Sequence, residues 1–237
     1  MRQIGLLSVF SCAAFLVACQ ANTVSSNAAA GQLSSDASAS DSTTGDGEGP
    51  AGAYPPGPYG VSVNRIIQNF SFPGYFSTQD QAKANTLPYD SQLDLQTVRN
   101  ALDSNGNPFR YLLLDISAGW CPPCNQEAQD LGLQGTAKAK IAKWLSEGGL
   151  MMTVLVEGYD ESTQNPPIAA DLDTWINQHG VQYSMAIDPN QVLLTQGINP
   201  SAFPTNLVID LKTMKIISAW YGLDTTYQKW TAALSSK

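Results

Sequence analysis

Two cysteines stand two residues apart in "YLLLDISAGWCPPCNQEAQDL", residues 111–131, just after an apolar run that holds one aspartate. A pair with this spacing could be half of a metal site, a structural staple, or a reactive dithiol. The chain has four cysteines, Cys12, Cys19, Cys121 and Cys124, and one histidine, His179. If the first two belong to a targeting segment, the remainder cannot supply the full set of Cys and His ligands that a structural zinc takes. His179 stands before a glycine in "LDTWINQHG", where a helix is expected to end and where an imidazole suits the helix dipole. No metal is therefore expected. A staple closing so short a loop would barely constrain the unfolded chain. The residues favour the dithiol.

Its chemistry depends on which sulfur ionises, because a thiolate, not a thiol, attacks a disulfide. The stretch after Cys121 reads as helix. Cys121 is then expected at the helix N-terminus, where unpaired N–H groups and the dipole stabilise negative charge. Cys124 would lie about one turn further in, less exposed, close enough to bond to Cys121 and placed to resolve a mixed disulfide. Pro122 and Pro123 suit the first helical turn but remove two donors, which leaves the Cys124 N–H to approach the Cys121 sulfur. Asp115, alone inside "LLLDIS", needs a reason to be there. Burial would raise its pKa and make it a usable base, accepting the Cys124 proton directly or through water. Glu127, one turn after Cys124, reads as solvated helix surface.

Strands and helices alternate around these residues. "NFSFPGYF" reads as a short strand with a Pro-Gly turn, "LDLQTVRNAL" as a helix or a strand-helix start, and "DSNGNPF" as a turn. "YLLLDIS" and "LMMTVLVEG" are near-continuous apolar runs, as strands covered on both faces require. Between them lies helical sequence, broken near "LGLQGT" and ending at Gly148-Gly149. Then follow a helix in "IAADLDTWINQHG", a strand in "YSMAID", a short helix in "NQVLLTQG", two strands in "TNLVIDLKTMKIISAWYG" turning near Lys212-Thr213, and a closing helix in "TTYQKWTAALSSK". This order predicts an α/β fold, a mixed sheet flanked by helices, with an N-terminal extension.

The extension divides in two. Met1-Arg2-Gln3 carries one positive charge and Ile4 to Val17 is largely apolar. That run is short for a bilayer span of ~20 residues, so residues 1–18 read as a cleaved signal peptide. "LVAC" at its end resembles a bacterial lipobox. The resemblance implies cleavage before Cys19, a diacylglycerol on the Cys19 thiol, and loss of Cys12. Gln20, where some inner-membrane proteins carry Asp, favours the outer membrane. Residues 20–60 hold four acids and no base. Such a segment cannot bury enough apolar surface to offset its ordering entropy. A flexible tether of this length spans ~35 Å. Residues 61–237 are enough for one packed domain. A formal net charge of −8 leaves no electrostatic footprint for nucleic acid.

With "WCPPC" after an apolar strand, Asp115 six residues before Cys121, and "AFPTNLVID" some 80 residues later, the sequence resembles the thioredoxin superfamily. Within it, the sequence is similar to the membrane-tethered TlpA/ResA-like redoxins. The resemblance covers roughly residue 61 to the C-terminus and implies a thioredoxin-like sheet and a Cys121–Cys124 disulfide couple. It also implies that Asp115 is the family's buried acid, that Trp120 and Pro122 border the active surface, and that the Phe203-Pro204 bond is cis. Pro204 would then face the dithiol and turn the Ala202 and Phe203 backbone toward a substrate strand. No cofactor is implied. The implied partners are protein thiols and disulfides of the cell envelope and an upstream electron donor.

Three alternatives are weighed against the residues. A thiol-dependent peroxidase would want a Pro-x-x-x-Thr/Ser-x-x-Cys context, whereas Ser117-Ala118-Gly119-Trp120 precedes Cys121. A redox-inactive binding lipoprotein would need neither the intact cysteine pair nor Asp115 and Pro204. A copper carrier of this fold would want three residues between its cysteines.

Overall fold

The computed structural model describes residues 52–78, 83–230 and 232, all within one compact unit, Asp46–Lys237. The expected signal peptide, Cys19 and most of the expected tether lie outside the described residues. Along the chain run β1 (Gly74–Tyr75), β2 (Tyr89–Asp90), α1 (Leu95–Arg99), β3 (Tyr111–Ala118), α2 (Pro122–Leu131), α3 (Lys138–Ser146) and β4 (Gly149–Glu157). They are followed by α4 (Ala169–His179), β5 (Ser184–Ile187), α5 (Val192–Thr195), β6 (Thr205–Asp210) and β7 (Lys215–Tyr221).

The strands form one mixed sheet in the order β2-β1-β5-β4-β3-β6-β7. β3, β4 and β5 are parallel; β6 runs antiparallel to β3, and β7 antiparallel to β6. Every residue of β3 and β4 is buried, as the apolar runs predict for strands covered on both faces. The helical sequence between them is broken into α2 and α3, which pack on each other and on α4 and β4. Trp144 of α3 and Trp175 of α4 are fully enclosed, and Trp144 stacks on Trp230 at 5.6 Å. α4 ends where expected, with Gly180 in the left-handed region at φ 65°, a conformation glycine adopts without steric cost.

The "NFSFPGYF" strand shrinks to Gly74–Tyr75, which joins β5 to β2. β2 carries no run of strand-forming residues and was not expected. The closing helix begins at Lys229 and its end lies outside the described residues. Packing starts before the composition change near residue 60: the Tyr54 hydroxyl donates to the Ile67 carbonyl at 2.8 Å. Residues 64–67 then cover the first part of the β7 edge, with the Ile67 N–H donating to Met214 and the Ile216 N–H to Arg65. Among the described residues no helix is long and apolar enough to cross a membrane.

Candidate active site

The C-terminal ends of β3 and β4 and the start of β6 meet at one edge of the sheet. Ligand sites of open α/β sheets gather at this kind of edge. β3 leaves it through a turn stitched to β4: the Gly119 N–H donates to Glu157 O at 3.0 Å and the Trp120 N–H to Gly158 O at 3.2 Å. A Cβ at Gly119 would sit 2.8 Å from the Gly158 carbonyl oxygen, so only glycine allows this approach. Cys121 then caps α2, with Pro122 and Pro123 as its first two residues. The Cys124 N–H donates to the Cys121 sulfur at 3.2 Å. This is the donor that the two prolines were expected to leave.

Cys121 and Cys124 are joined in a disulfide. Their exposures are 2% and 1%, so burial does not single out Cys121 in this state. Each bonded sulfur covers part of the other, and the two are distinguished by position alone. Trp120 is half-buried and fixed by its indole N–H, which donates to Glu157 Oε2 at 2.7 Å. Its ring lies 6.3 Å from that of Phe203. The Phe203–Pro204 bond is cis. The pairing of Ile116 with Thr205 sets Pro204 beside the end of β3, and the Pro204 carbonyl accepts from the Gly222 N–H at 2.7 Å. Ala202 uses both backbone groups within its own turn, its N–H on Asn199 O and its carbonyl on the Thr205 hydroxyl.

Asp115 lies mid-strand in β3, 4% exposed, between Thr153 of β4 and Asn206 of β6. No cation meets it among the described residues. The Ser117 hydroxyl reaches both carboxylate oxygens at 3.0 Å and the Thr153 hydroxyl donates to Oδ2 at 2.7 Å. Burial pushes the pKa up to about 6, against the pull of the two hydroxyl donors. Thr153→Val removes one donor and keeps the shape. Since a hydrogen bond to a charged group contributes ~1.5–3 kcal/mol, the Asp115 titration should move up by about one pH unit or more. Carbon-13 NMR of the carboxyl measures this directly. A titration that stayed in place would show that the threonine does not hold the carboxylate.

Glu127 requires a correction. It is not solvated helix surface but 4% exposed, because Cys124, Glu127, Ala128 and Leu131 share the inward face of α2. Burial foremost, and then the Asp115 charge, hold its carboxyl well above the usual range. Its Oε2 atom has no hydrogen-bond partner, nor have both polar atoms of the buried Asn206 side chain. Asn206 lies near enough to ease the Glu127 charge slightly, but makes no well-formed bond to it, so the upward direction stands. Unmet polar groups are rare in protein interiors. Here they sit beside the buried acid pair. The i, i+3 spacing from Cys124 was the signal that could have placed Glu127 inward. Nothing in the sequence pointed to Asn206 or Thr153. Among the described residues no group of three or more His, Cys, Asp or Glu is placed to hold a metal ion.

The sheet order, the cysteine turn after β3 and the cis-proline before β6 define a thioredoxin-like fold. One solved structure agrees in fold, and two more are reported beside it. A protein of Chlorobium tepidum assigned as a thiol:disulfide interchange protein DsbE superposes with a TM-score of 0.50 at 19% identity, over 73% of this chain and 99% of that one. A protein of Bacteroides thetaiotaomicron assigned as a protein disulfide isomerase gives 0.49 at 13% identity, over 74% and 87%. The thioredoxin domain of a Bacteroides vulgatus thiol-disulfide oxidoreductase gives 0.49 at 12% identity, over 75% and 99%. At such identities the likeness concerns the fold. No family model matches the sequence, and no curated protein matches it.

Proposed function

We propose that this chain is a thiol–disulfide oxidoreductase that exchanges disulfides with exported proteins outside the cytoplasm through Cys121 and Cys124. One observation carries the reading: a cysteine pair capping a helix at the end of β3, with the Cys124 N–H on the Cys121 sulfur, and on β3 itself a buried carboxyl whose pKa is pushed up to about 6. In the reducing direction the Cys121 thiolate attacks a substrate disulfide, forms a mixed disulfide and releases one substrate thiolate. The Cys124 thiol gives its proton to Asp115 and attacks the Cys121 sulfur. The second substrate thiolate leaves, the substrate is reduced and the pair is oxidised. Oxidation of a dithiol substrate is the same sequence reversed. Phe203 and Trp120 would flank the scissile disulfide, and an extended substrate segment would pair along the Phe203 backbone. The test is insulin reduction with a dithiol donor. Turnover by the reduced chain supports the reading, and absence of turnover at every pH from 6 to 9 overturns it.

Location belongs to the same proposal. The "LVAC" stretch at residues 16–19 supports a lipid anchor on Cys19, with the tether holding the domain clear of the outer membrane or cell surface. Cys19→Ser should leave the chain unlipidated and move it from the membrane to the soluble fraction. Unchanged partitioning in fractionated cells would remove the anchor from the proposal.

A further inference from the structure

Asn125 follows the dithiol directly, and each polar atom of its side chain is engaged. Nδ2 donates to the Gly119 carbonyl at 3.0 Å and to the Cys121 carbonyl at 2.8 Å. Oδ1 meets His179 Nε2 at 3.0 Å. Two carbonyls can be met only by the amide nitrogen, so the oxygen must face the imidazole and the hydrogen must reside on Nε2. His179 is the chain's only histidine. The residue is 9% exposed and its ring packs edge-on to Trp175 at 4.8 Å. Its backbone is locked to the end of α2: a Cβ at Gly132 would meet the His179 carbonyl oxygen at 1.9 Å, and the Leu133 N–H donates to Gly180 O. The backbone that carries the ring is therefore held against the end of α2, with Trp175 on one side of the ring.

We propose that Asn125 and His179 act together as a positioning clamp on the turn that carries Cys121 and thereby set the reactivity of the dithiol. This deepens the oxidoreductase reading and rests on it for its functional meaning. The Cys121 carbonyl receives both the Asn125 side chain and the Asn125 backbone N–H. Fixing that peptide plane fixes where the Cys121 sulfur lies relative to the Cys124 N–H. A hydrogen bond to a thiolate weakens quickly with misalignment, and whatever stabilises the thiolate favours the reduced pair. The clamp therefore favours the reduced form and the attack of Cys121. His179 acts through Asn125, by holding the amide in its one productive orientation.

The test uses the full domain with Asn125→Ala, Asn125→Asp, His179→Phe, His179→Gln and the Asn125→Ala/His179→Phe double variant. Asn125→Asp keeps the size but cannot donate. His179→Phe keeps the ring on Trp175 and removes the donor. His179→Gln retains a donor and serves as the conservative rescue. Three properties are measured: the equilibrium constant with glutathione, the pH profile of Cys121 alkylation by iodoacetamide, and the melting temperature. Asn125→Ala, Asn125→Asp and His179→Phe should each lower the equilibrium constant for the reduced form three- to tenfold (~15–30 mV for a two-electron couple). Each should move the alkylation profile to higher pH. The double variant should show no more than the larger single effect, because the two residues work as one unit. His179→Gln should stay near wild type. Variants that lower only the melting temperature, or additive effects in the double variant, overturn the clamp. The equilibrium and alkylation are read on the chain's own cysteines, so a wild type that fails to reduce insulin would sink the oxidoreductase reading without touching this result.

Discussion

Cys121→Ser should abolish disulfide reduction, with a loss on the order of a thousandfold or more, while Cys124→Ser should form the mixed disulfide and stall there. Cys121 caps α2 and receives the Cys124 N–H, whereas Cys124 lies one turn inside the helix. Only the first position offers a thiolate that the helix end stabilises. Without Cys124 the first exchange still proceeds and nothing displaces the bound substrate. Non-reducing electrophoresis of the two variants with a disulfide substrate separates these outcomes. If the Cys121 variant traps substrate instead, the roles of attacking and resolving sulfur are reversed.

Asp115→Asn should have two effects that diverge with pH. At neutral pH the resolving step should slow ~100-fold, the order that a positioned general base contributes, and its dependence on the Asp115 ionisation should vanish. Stability should move the other way. Burial raises the Asp115 carboxyl from 3.8 to about 6, so the folded state binds this proton more tightly than the unfolded chain. The stabilisation from that proton is full below about pH 3.8 and lost as pH rises through about 6. Two decades of proton affinity correspond to ~3 kcal/mol, which wild type forgoes at pH 8 and an asparagine does not. The variant should therefore gain stability relative to wild type between pH 4 and pH 8. Removing the charge should also ease the Glu127 carboxyl, because Asp115 is one cause of its upward shift. Urea unfolding at the two pH values measures the gain. A difference between variant and wild type that stays constant across pH would mean that Asp115 is not the buried titrating group, and full turnover at neutral pH would end its role as proton acceptor.

Much of this site is local in sequence and so was legible there. The helix start at Cys121, the donor left by Pro122 and Pro123, the continuous burial of β3 and the Gly180 cap each follow from a few consecutive residues. The rules behind them, free N–H groups at a helix end and the left-handed freedom of glycine, do not depend on what lies across the fold. The Pro204 turn was legible only through the resemblance, and it is cis. Glu127 lay within reach of the same local logic, since three residues separate it from the inward Cys124, but a charged residue near a helix start defaults to solvent when the depth of the neighbouring core is unknown.

The remaining features depend on register and on side chains brought together from distant segments. Asp115 faces Thr153 and Asn206 because β3 pairs with β4 and β6 at one particular alignment; a slip of one residue would turn each of those side chains to the opposite face. His179 reaches Asn125 across 54 residues because α2 and α4 end against each other at Gly132 and Gly180. Residue types and short spacings determined where the cysteine pair lies and how it starts a helix. The tertiary structure decided which acids, amides and imidazole surround it, because those contacts come from the packing of whole elements, to which no single stretch of chain holds the key.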